Sequence, residues 1–416
     1  MNSTASQYRK LGLWGIGLGI LFPLFFQFDG GVYREAALVS DSQGVLSKLP
    51  LPIATVTCLT ALILWGGSLT RARSAIAMVL GVFVVSVASL GLADDGITPS
   101  GRKLLLTLQV MLPLSGLVVG QLVDVQSKVI ARAFLLVLSV VVPLQLLATK
   151  LQGIPILTHY LYAFSIYSHR QYVTLIFVCA FAYSLTSLWN ESRFWLCLLI
   201  LPMFVYVTRS YAFLTIAAYG SVMIAFVGWK LWAYRTNKKW LLVAAALAAV
   251  ATVGGVVHLG QEKDPIASGL FLGKFSELQE GQIPPNLQER INDWKNFGNA
   301  IVESKTTLLA GHPQPMPREV RTSPHNWYLD IVYSFGLLGL IPILTLMGYT
   351  VTLIWIKRAT LPAETWWLAA IVFYLVVIDS NFKVTLRQPY PGIFTYFMWG
   401  LLLSHLRDST TESQVA

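Results

Sequence analysis

Three residues stand out by type and position: His325, Arg209 and Arg290. His325 lies in Ser323-Pro324-His325-Asn326-Trp327-Tyr328-Leu329, where a long polar segment runs into an apolar stretch. Ser323 has the chemistry of a helix N-cap and Pro324 that of a first helical residue, which predicts His325 in the first helical turn. There the positive end of the helix dipole favours neutral imidazole, the form a general base needs near pH 7. The alternative is a polar residue that marks a membrane interface. Arg209 stands in Val207-Thr208-Arg209-Ser210-Tyr211, between two apolar runs. As a helix, the run Phe194 to Thr208 spans about 22 Å, short of a hydrocarbon core of about 30 Å. Arg209 is therefore expected below the outer surface. A recessed guanidinium offers a fixed fork to phosphate oxygens; the alternative is a snorkelling side chain. Arg290 borders the apolar face of a helix predicted from Leu287 to about Lys305, on which Leu287, Ile291, Trp294 and Ile301 recur at helical spacing.

Other basic residues gather on the same side of the chain. His169-Arg170 opens an apolar run, Arg318 and Arg321 precede His325, and Lys383 and Arg387 lie in a short polar turn. Each alone reads equally as an interface anchor. Together they would make a basic mouth suited to a polyanion such as a pyrophosphate lipid. A metal site is not expected. Asp94-Asp95 reads as a turn, and the histidines at 159, 169, 258, 312, 325 and 405 lack ligand spacing. No phosphate-binding glycine loop, dinucleotide fingerprint or nucleophile elbow occurs, so no cofactor is expected.

The elements that must position these residues are membrane helices. Hydrophobic residues make up 55% of the 416 and charged residues 12%, about half the usual charged share of a soluble domain. The net charge of +10 is dispersed through loops, which argues against nucleic acid as a partner. Cys58, Cys179 and Cys197 all lie in apolar runs. The expected fold class is all-α: a polytopic membrane protein of about twelve spans. They fall near 11–28, 51–70, 74–93, 103–123, 129–148, 170–189, 194–208, 211–232, 240–258, 327–356, 364–380 and 391–406. The first reads as a retained signal-anchor. The chain thus divides into spans one to nine (1–258), one large outer loop with amphipathic helices (259–326), and spans ten to twelve with a short tail (327–416). Within the outer loop, Asn286 and Glu289 resemble a capping box. Gly311 to Pro317 reads as a shaped, proline-fixed loop. Lys and Arg concentrate in the short loops of one side, most clearly at Arg235, Lys238 and Lys239, which predicts both termini in the cytoplasm.

Three motifs resemble the O-antigen ligase and polymerase superfamily. They are Thr208-Arg209-Ser210 at the end of a span; Arg290 with Trp294, followed by Leu308-Leu309-Ala310-Gly311-His312; and His325-Asn326-Trp327-Tyr328-Leu329, followed by Gly336-Leu337-Leu338-Gly339. The resemblance covers about residues 205–345. It implies a GT-C-like, metal-independent, inverting glycosyltransferase of the bacterial inner membrane, with its active site on the periplasmic face. The implied donor is a glycan on undecaprenyl pyrophosphate, and the ligase's acceptor is lipid A-core. On this chain His325 would be the general base, with Arg209 and Arg290 on the pyrophosphate. Arg170, His312, Arg318, Arg321, Lys383 and Arg387 would bind substrate. A single large outer loop favours ligase over polymerase. The short stretch after the last span argues against the protein-glycosylating relatives. An anionic-lipid transporter is the alternative of another class, but no internal repeat supports it.

Overall fold

The computed structural model describes residues 3–26, 51–123, 128–151, 153, 170–233, 280–281, 283, 285–316 and 324–412. The expected span 240–258, the loop residues 259–279, and Arg318, Arg321 and Ser323 lie outside these. The described helices are α1 (Ser3–Leu21), α2 (Ile53–Leu64), α3 (Arg73–Leu92), α4 (Ser100–Leu122), α5 (Val129–Leu151), α6 (Arg170–Arg209), α7 (Phe213–Ala233), α8 (Pro285–Ile301), α9 (Lys305–Ala310), α10 (Trp327–Phe335), α11 (Ile341–Lys357), α12 (Ala363–Phe373) and α13 (Pro389–Glu412). One two-residue strand pair, Phe25–Phe26 with Leu51–Pro52, accompanies them. Seven helices are long and apolar enough to cross a membrane, which marks an all-α membrane protein.

Among the described residues seven such helices stand where twelve spans were expected, and several boundaries move. The expected spans 74–93, 103–123, 129–148 and 211–232 coincide closely with α3, α4, α5 and α7. The expected span 51–70 shrinks to the 12-residue α2, followed by a 3-10 turn that starts at the glycine pair Gly66-Gly67. The expected span 327–356 is broken: α10 stops at Phe335, and Gly336 turns the chain at φ 63° into a 3-10 turn before α11. Span 364–380 begins as α12 and ends in a π-turn (Tyr374–Ile378) and a 3-10 turn (Asp379–Asn381). The expected spans 170–189 and 194–208 run together as α6, but Ser192 is non-helical at φ −132°, ψ 34°. Phe177 nevertheless stacks on Tyr206 with ring centroids 5.6 Å apart. On a straight helix those residues would stand about 43 Å apart. The two legs of α6 therefore fold back on one another at Ser192, so the expected pair of segments does exist.

The chain forms two compact units, which cut across the linear division expected from sequence. One comprises residues 1–127 and 286–416; the other is Lys128–Pro285. The first is built on α4 against α13. A Cβ added at Gly116 would overlap the Ile393 carbonyl, one at Gly120 the Phe397 carbonyl, and one at Gly400 the Leu117 carbonyl. Glycines four apart in Gly116-Leu117-Val118-Val119-Gly120 thus let two backbones touch, as small-residue stripes do in membrane helices. Contacts advance together along both helices, ending with Ser404 Oγ donating to Val123 O at 3.1 Å. The two helices therefore run parallel.

The same logic sorts this unit into two ends. At one end, Tyr390 OH donates to Leu21 O, Arg102 Nε to Pro313 O at 2.7 Å, and Ser89 Oγ to Phe335 O at 2.7 Å. At the other, Arg407 Nη1 donates to Arg71 O at 2.7 Å and Gln121 Nε2 to Ser74 Oγ at 2.6 Å. The start of α1 and the end of α13 share this second end. In the other unit, Trp189 packs on Phe226 at 4.9 Å, and both Lys128 and Arg132 pair with Glu191 at 3.1 and 2.8 Å. The start of α5, the bend of α6 and the end of α7 therefore share an end, as the sequence-based sides require. Replacing Gly120 by Val should force α4 off α13 and cost on the order of 1–3 kcal/mol. Thermal unfolding in detergent should show a clear fall for Gly120→Val and little change for Gly81→Ala, where an added Cβ meets nothing within 4 Å.

Candidate functional site

His325 lies where three elements of the first unit converge, but not inside a helix. Asn326, rather than Ser323, caps α10: its Oδ1 accepts from Tyr328 N at 2.9 Å and Leu329 N at 3.1 Å. This corrects the expected cap. Asparagine competes well at this position because its carbonyl reaches the first free amides. His325 is half-buried just ahead of the cap, with a left-handed φ of 47°. For a residue with a Cβ that backbone costs on the order of 1–2 kcal/mol and persists only where neighbours impose it.

The neighbours are identifiable. Before His325, Pro324 O accepts from Trp294 Nε1 of α8 at 2.9 Å. After it, Trp327 N donates to Lys383 O at 3.1 Å, and Asn326 Nδ2 donates to Asn381 Oδ1 at 3.3 Å. Arg290 of α8 reaches the same turn, its Nη1 donating to Phe382 O at 3.2 Å. Arg290 is half-buried beside the buried face of α8, in register with buried Asp293, Phe297 and Ile301, whereas Leu287 is exposed. The helix starts one residue before the expected cap Asn286, at Pro285, and stops at Ile301 instead of near Lys305. A second short helix, α9, follows with its own capping box from Ser304 and Thr307. Phe297, Ile301, Met316, Val332 and Tyr333 form one apolar cluster that seats α8 on α10.

The turn at residues 379–387 carries the charges. Arg387 Nη1 lies 2.7 and 2.6 Å from the two carboxylate oxygens of Asp330, and its Nε donates to Gln109 Oε1 of α4 at 2.8 Å. Lys383 Nζ lies 2.8 Å from Asp379 Oδ1, an ionic rather than a directional contact, and both side chains are buried. Thr385 donates its hydroxyl to Asp379 Oδ2. Both cations expected to bind substrate thus have internal carboxylate partners. His312 is likewise engaged: its ring stacks on Tyr333 at 4.8 Å and its Nε2 donates to Ala300 O at 3.0 Å. The motif glycines also have a mechanical reason. A Cβ at Gly311 would strike the Gly336 amide, a Cβ at Gly336 would strike Leu309 O, and both glycines have positive φ. The ends of α9 and α10 meet there backbone to backbone, and buried Ser89 of α3 donates to the Ala310 and Phe335 carbonyls.

The 311–316 loop is tied to the turn before α4. Asp95 accepts from Thr98 N at 2.8 Å, Ile97 N at 3.0 Å and Gln314 Nε2 at 2.7 Å. Asp94 accepts from Gly96 N at 3.1 Å. The carboxylate pair is therefore a turn, as expected. The Thr98 amide is the largest cause holding the Asp95 carboxyl down at about 2, with the Ile97 amide, the Thr98 hydroxyl and Gln314 adding to it.

Arg209 belongs to the other unit and is half-buried at the last position of α6. The chain reverses directly after it: Ser210 N donates to Val207 O at 3.2 Å, Tyr211 N to Thr208 O at 3.1 Å, and Tyr211 takes φ 51°. Arg209 and His325 thus each stand within two residues of, or at, a left-handed non-glycine position. Arg170 opens α6. Within the first unit the fold gathers Arg290, His312, His325, Lys383 and Arg387 at one end. Sequence reading missed Asp330, Asp379, Gln109 and Asn381. The available signal was a carboxylate inside an apolar stretch, which demands a cation partner.

Replacing Asp330 by Ala would leave the Arg387 guanidinium, mostly buried, without its anion, at about 3–5 kcal/mol. Denaturation should show that loss, and the pair Asp330→Leu with Arg387→Met should recover much of it. The Asp95 tie has a defined pH window. Its pKa is lowered on folding, so its contribution is present above the usual carboxylate range of about 4 and lost as pH falls toward about 2. Asp95→Asn should be less stable than the native protein at pH 7, and the gap should close toward pH 2.

Compared with known proteins, the chain matches no family model and no curated sequence.

Proposed function

We propose that the protein is an inverting, metal-independent glycosyltransferase that moves O-antigen glycan from undecaprenyl pyrophosphate onto a sugar hydroxyl of lipid A-core, completing lipopolysaccharide. The observation that carries this reading is the half-buried His325, held at φ 47° between the Arg290 helix and the 379–387 turn. Strain held in place by several independent contacts is a mark of functional positions.

In this reading the His325 imidazole takes the proton of the acceptor hydroxyl. The freed oxygen attacks the anomeric carbon on the face opposite the pyrophosphate. The carbon–oxygen bond to the lipid breaks, its electron pair leaves on undecaprenyl pyrophosphate, and configuration inverts. Arg290 holds the pyrophosphate and offsets the charge that develops on it, a role that the family resemblance gives to Arg209 of the other unit as well. Guanidinium stays protonated, so it can serve where other enzymes use a cation. Arg170, Arg318 and Arg321 draw the polyanionic donor to the mouth. His312, Lys383 and Arg387 line the substrate end and also brace it through their internal contacts. The working end faces the periplasm of the inner membrane. The opposite end carries Arg71, Arg73, Lys357, Arg358 and Arg407 in its short loops and tail, against Arg102, Lys103, Lys383 and Arg387 in the short loops of the working end, the bias expected of a cytoplasmic face.

His325→Ala should lose transfer by about a hundredfold or more while the protein still inserts and unfolds cooperatively. Arg209→Lys should raise the donor KM, because a point charge lacks the bidentate fork. The assay is reconstitution in vesicles with undecaprenyl-pyrophosphate glycan and lipid A-core. Joined product supports the ligase reading; lengthening of the lipid-linked glycan alone assigns the polymerase reaction instead. Activity lost to a chelator and restored by magnesium would overturn metal independence, and near-normal transfer by His325→Ala would remove the base.

A further inference from the structure

We infer that Asn326 is a positioning residue for His325 and that Asn381 is its anchor; this rests on the catalytic reading of His325. Asn326 uses both ends of its amide. The Oδ1 caps α10 through Tyr328 N and Leu329 N, and the Nδ2 donates to Asn381 Oδ1 at 3.3 Å. Asn381 is held in turn by its own Nδ2, which donates to Val377 O at 2.6 Å in the π-turn that ends α12.

The bond therefore links the start of α10 to the end of α12, two elements that share no sequence neighbourhood. The cap alone would fix Asn326 relative to its own helix and leave the preceding residue free to relax. The Asn381 bond, with Trp327 N on Lys383 O at 3.1 Å, fixes the start of that helix against a second element. Trp294 Nε1 on Pro324 O fixes the other side of His325. A left-handed histidine pinned from both directions has one backbone geometry, so its imidazole starts from one defined place. Serine or aspartate would cap the helix about as well. Only an amide can cap with an oxygen and anchor with a nitrogen at the same residue.

Three variants of the full chain separate positioning from folding. Asn326→Ser keeps a capping oxygen and loses the anchor. Asn381→Ala loses the anchor and leaves the cap untouched. Asn381→Asp keeps an acceptor for Asn326 Nδ2. Transfer is measured with undecaprenyl-pyrophosphate glycan and lipid A-core, with His325→Ala as the reference for loss of the base. The reaction of His325 with diethylpyrocarbonate, followed by mass spectrometry, reports its position independently of transfer. Asn326→Ser and Asn381→Ala should each lower kcat roughly ten- to a hundredfold, with donor and acceptor KM little changed. The double variant should be no worse than either single, because one contact is removed once. Asn381→Asp should recover only part of kcat, because it keeps the acceptor for Asn326 but loses the donor that ties residue 381 to Val377 O. The His325 modification rate should shift several-fold in both anchor variants, while that of His312 stays constant. Additive losses, a rise in KM without a fall in kcat, or an unchanged His325 modification rate would each overturn the inference. If His325→Ala abolishes transfer and the anchor variants do not impair it, positioning fails and the base stands. If His325→Ala transfers normally, both fall.

Discussion

The ion pair between Asp330 and Arg387, whose Nη1 lies against both carboxylate oxygens, is the interaction on which the rest of this end of the unit depends. It joins the middle of α10 to the turn before α13, and Arg387 Nε carries the link on to Gln109 of α4. A guanidinium and a carboxylate so withdrawn from water are costly singly and tolerable only together. The same holds for Lys383 with Asp379, which stiffens the turn internally. Once these pairs form, the turn can offer its carbonyls and amides outward: Lys383 O to Trp327 N, Phe382 O to Arg290, and Asn381 Oδ1 to Asn326. Neutralised charge in the turn is therefore what allows polar groups to converge on His325.

Two glycine-dependent contacts set the frame around this end. Along α4 and α13 they bring two helices to backbone contact, which van der Waals packing and weak polar contacts favour in a lipid-like setting. Between Gly311 and Gly336 they let the ends of α9 and α10 abut, with Ser89 serving the carbonyls left over. Residues 285–316 are consequently packed into this end of the unit. Their helix α8 is seated on α10 by an apolar cluster and fastened by Trp294 and Arg290 on either side of His325.

Much of this was legible in the chain, at the level where local pattern governs. Apolar runs located α3, α4, α5 and α7 closely, while the role of Gly116 and Gly120 in α4 emerged only from the contact with α13. The alternation of basic and less basic loops agrees, within each unit, with which helix ends lie together. The helix breaks were harder. Gly336 interrupts a long apolar stretch whose composition barely changes across it, whereas the bend at Ser192 falls in the polar run Asn190-Glu191-Ser192-Arg193, between the two segments expected there. The helix start at His325 was missed by three residues, because Ser323-Pro324 and Asn326 both carry the chemistry of a start and only tertiary contacts select one.

The sequence by itself determined an all-α membrane protein, several of its helices, and a histidine worth attention at the join of polar and apolar chain. These follow from residue periodicity and transfer free energy, which act over one or two turns. Only the tertiary structure decided that His325 stands ahead of the cap in a left-handed backbone. It also decided that Lys383 and Arg387 answer to buried carboxylates and that Arg290 reaches the Phe382 carbonyl. Those facts depend on partners such as Asp330 and Arg387, which lie 57 residues apart, and no local preference of either residue specifies the other.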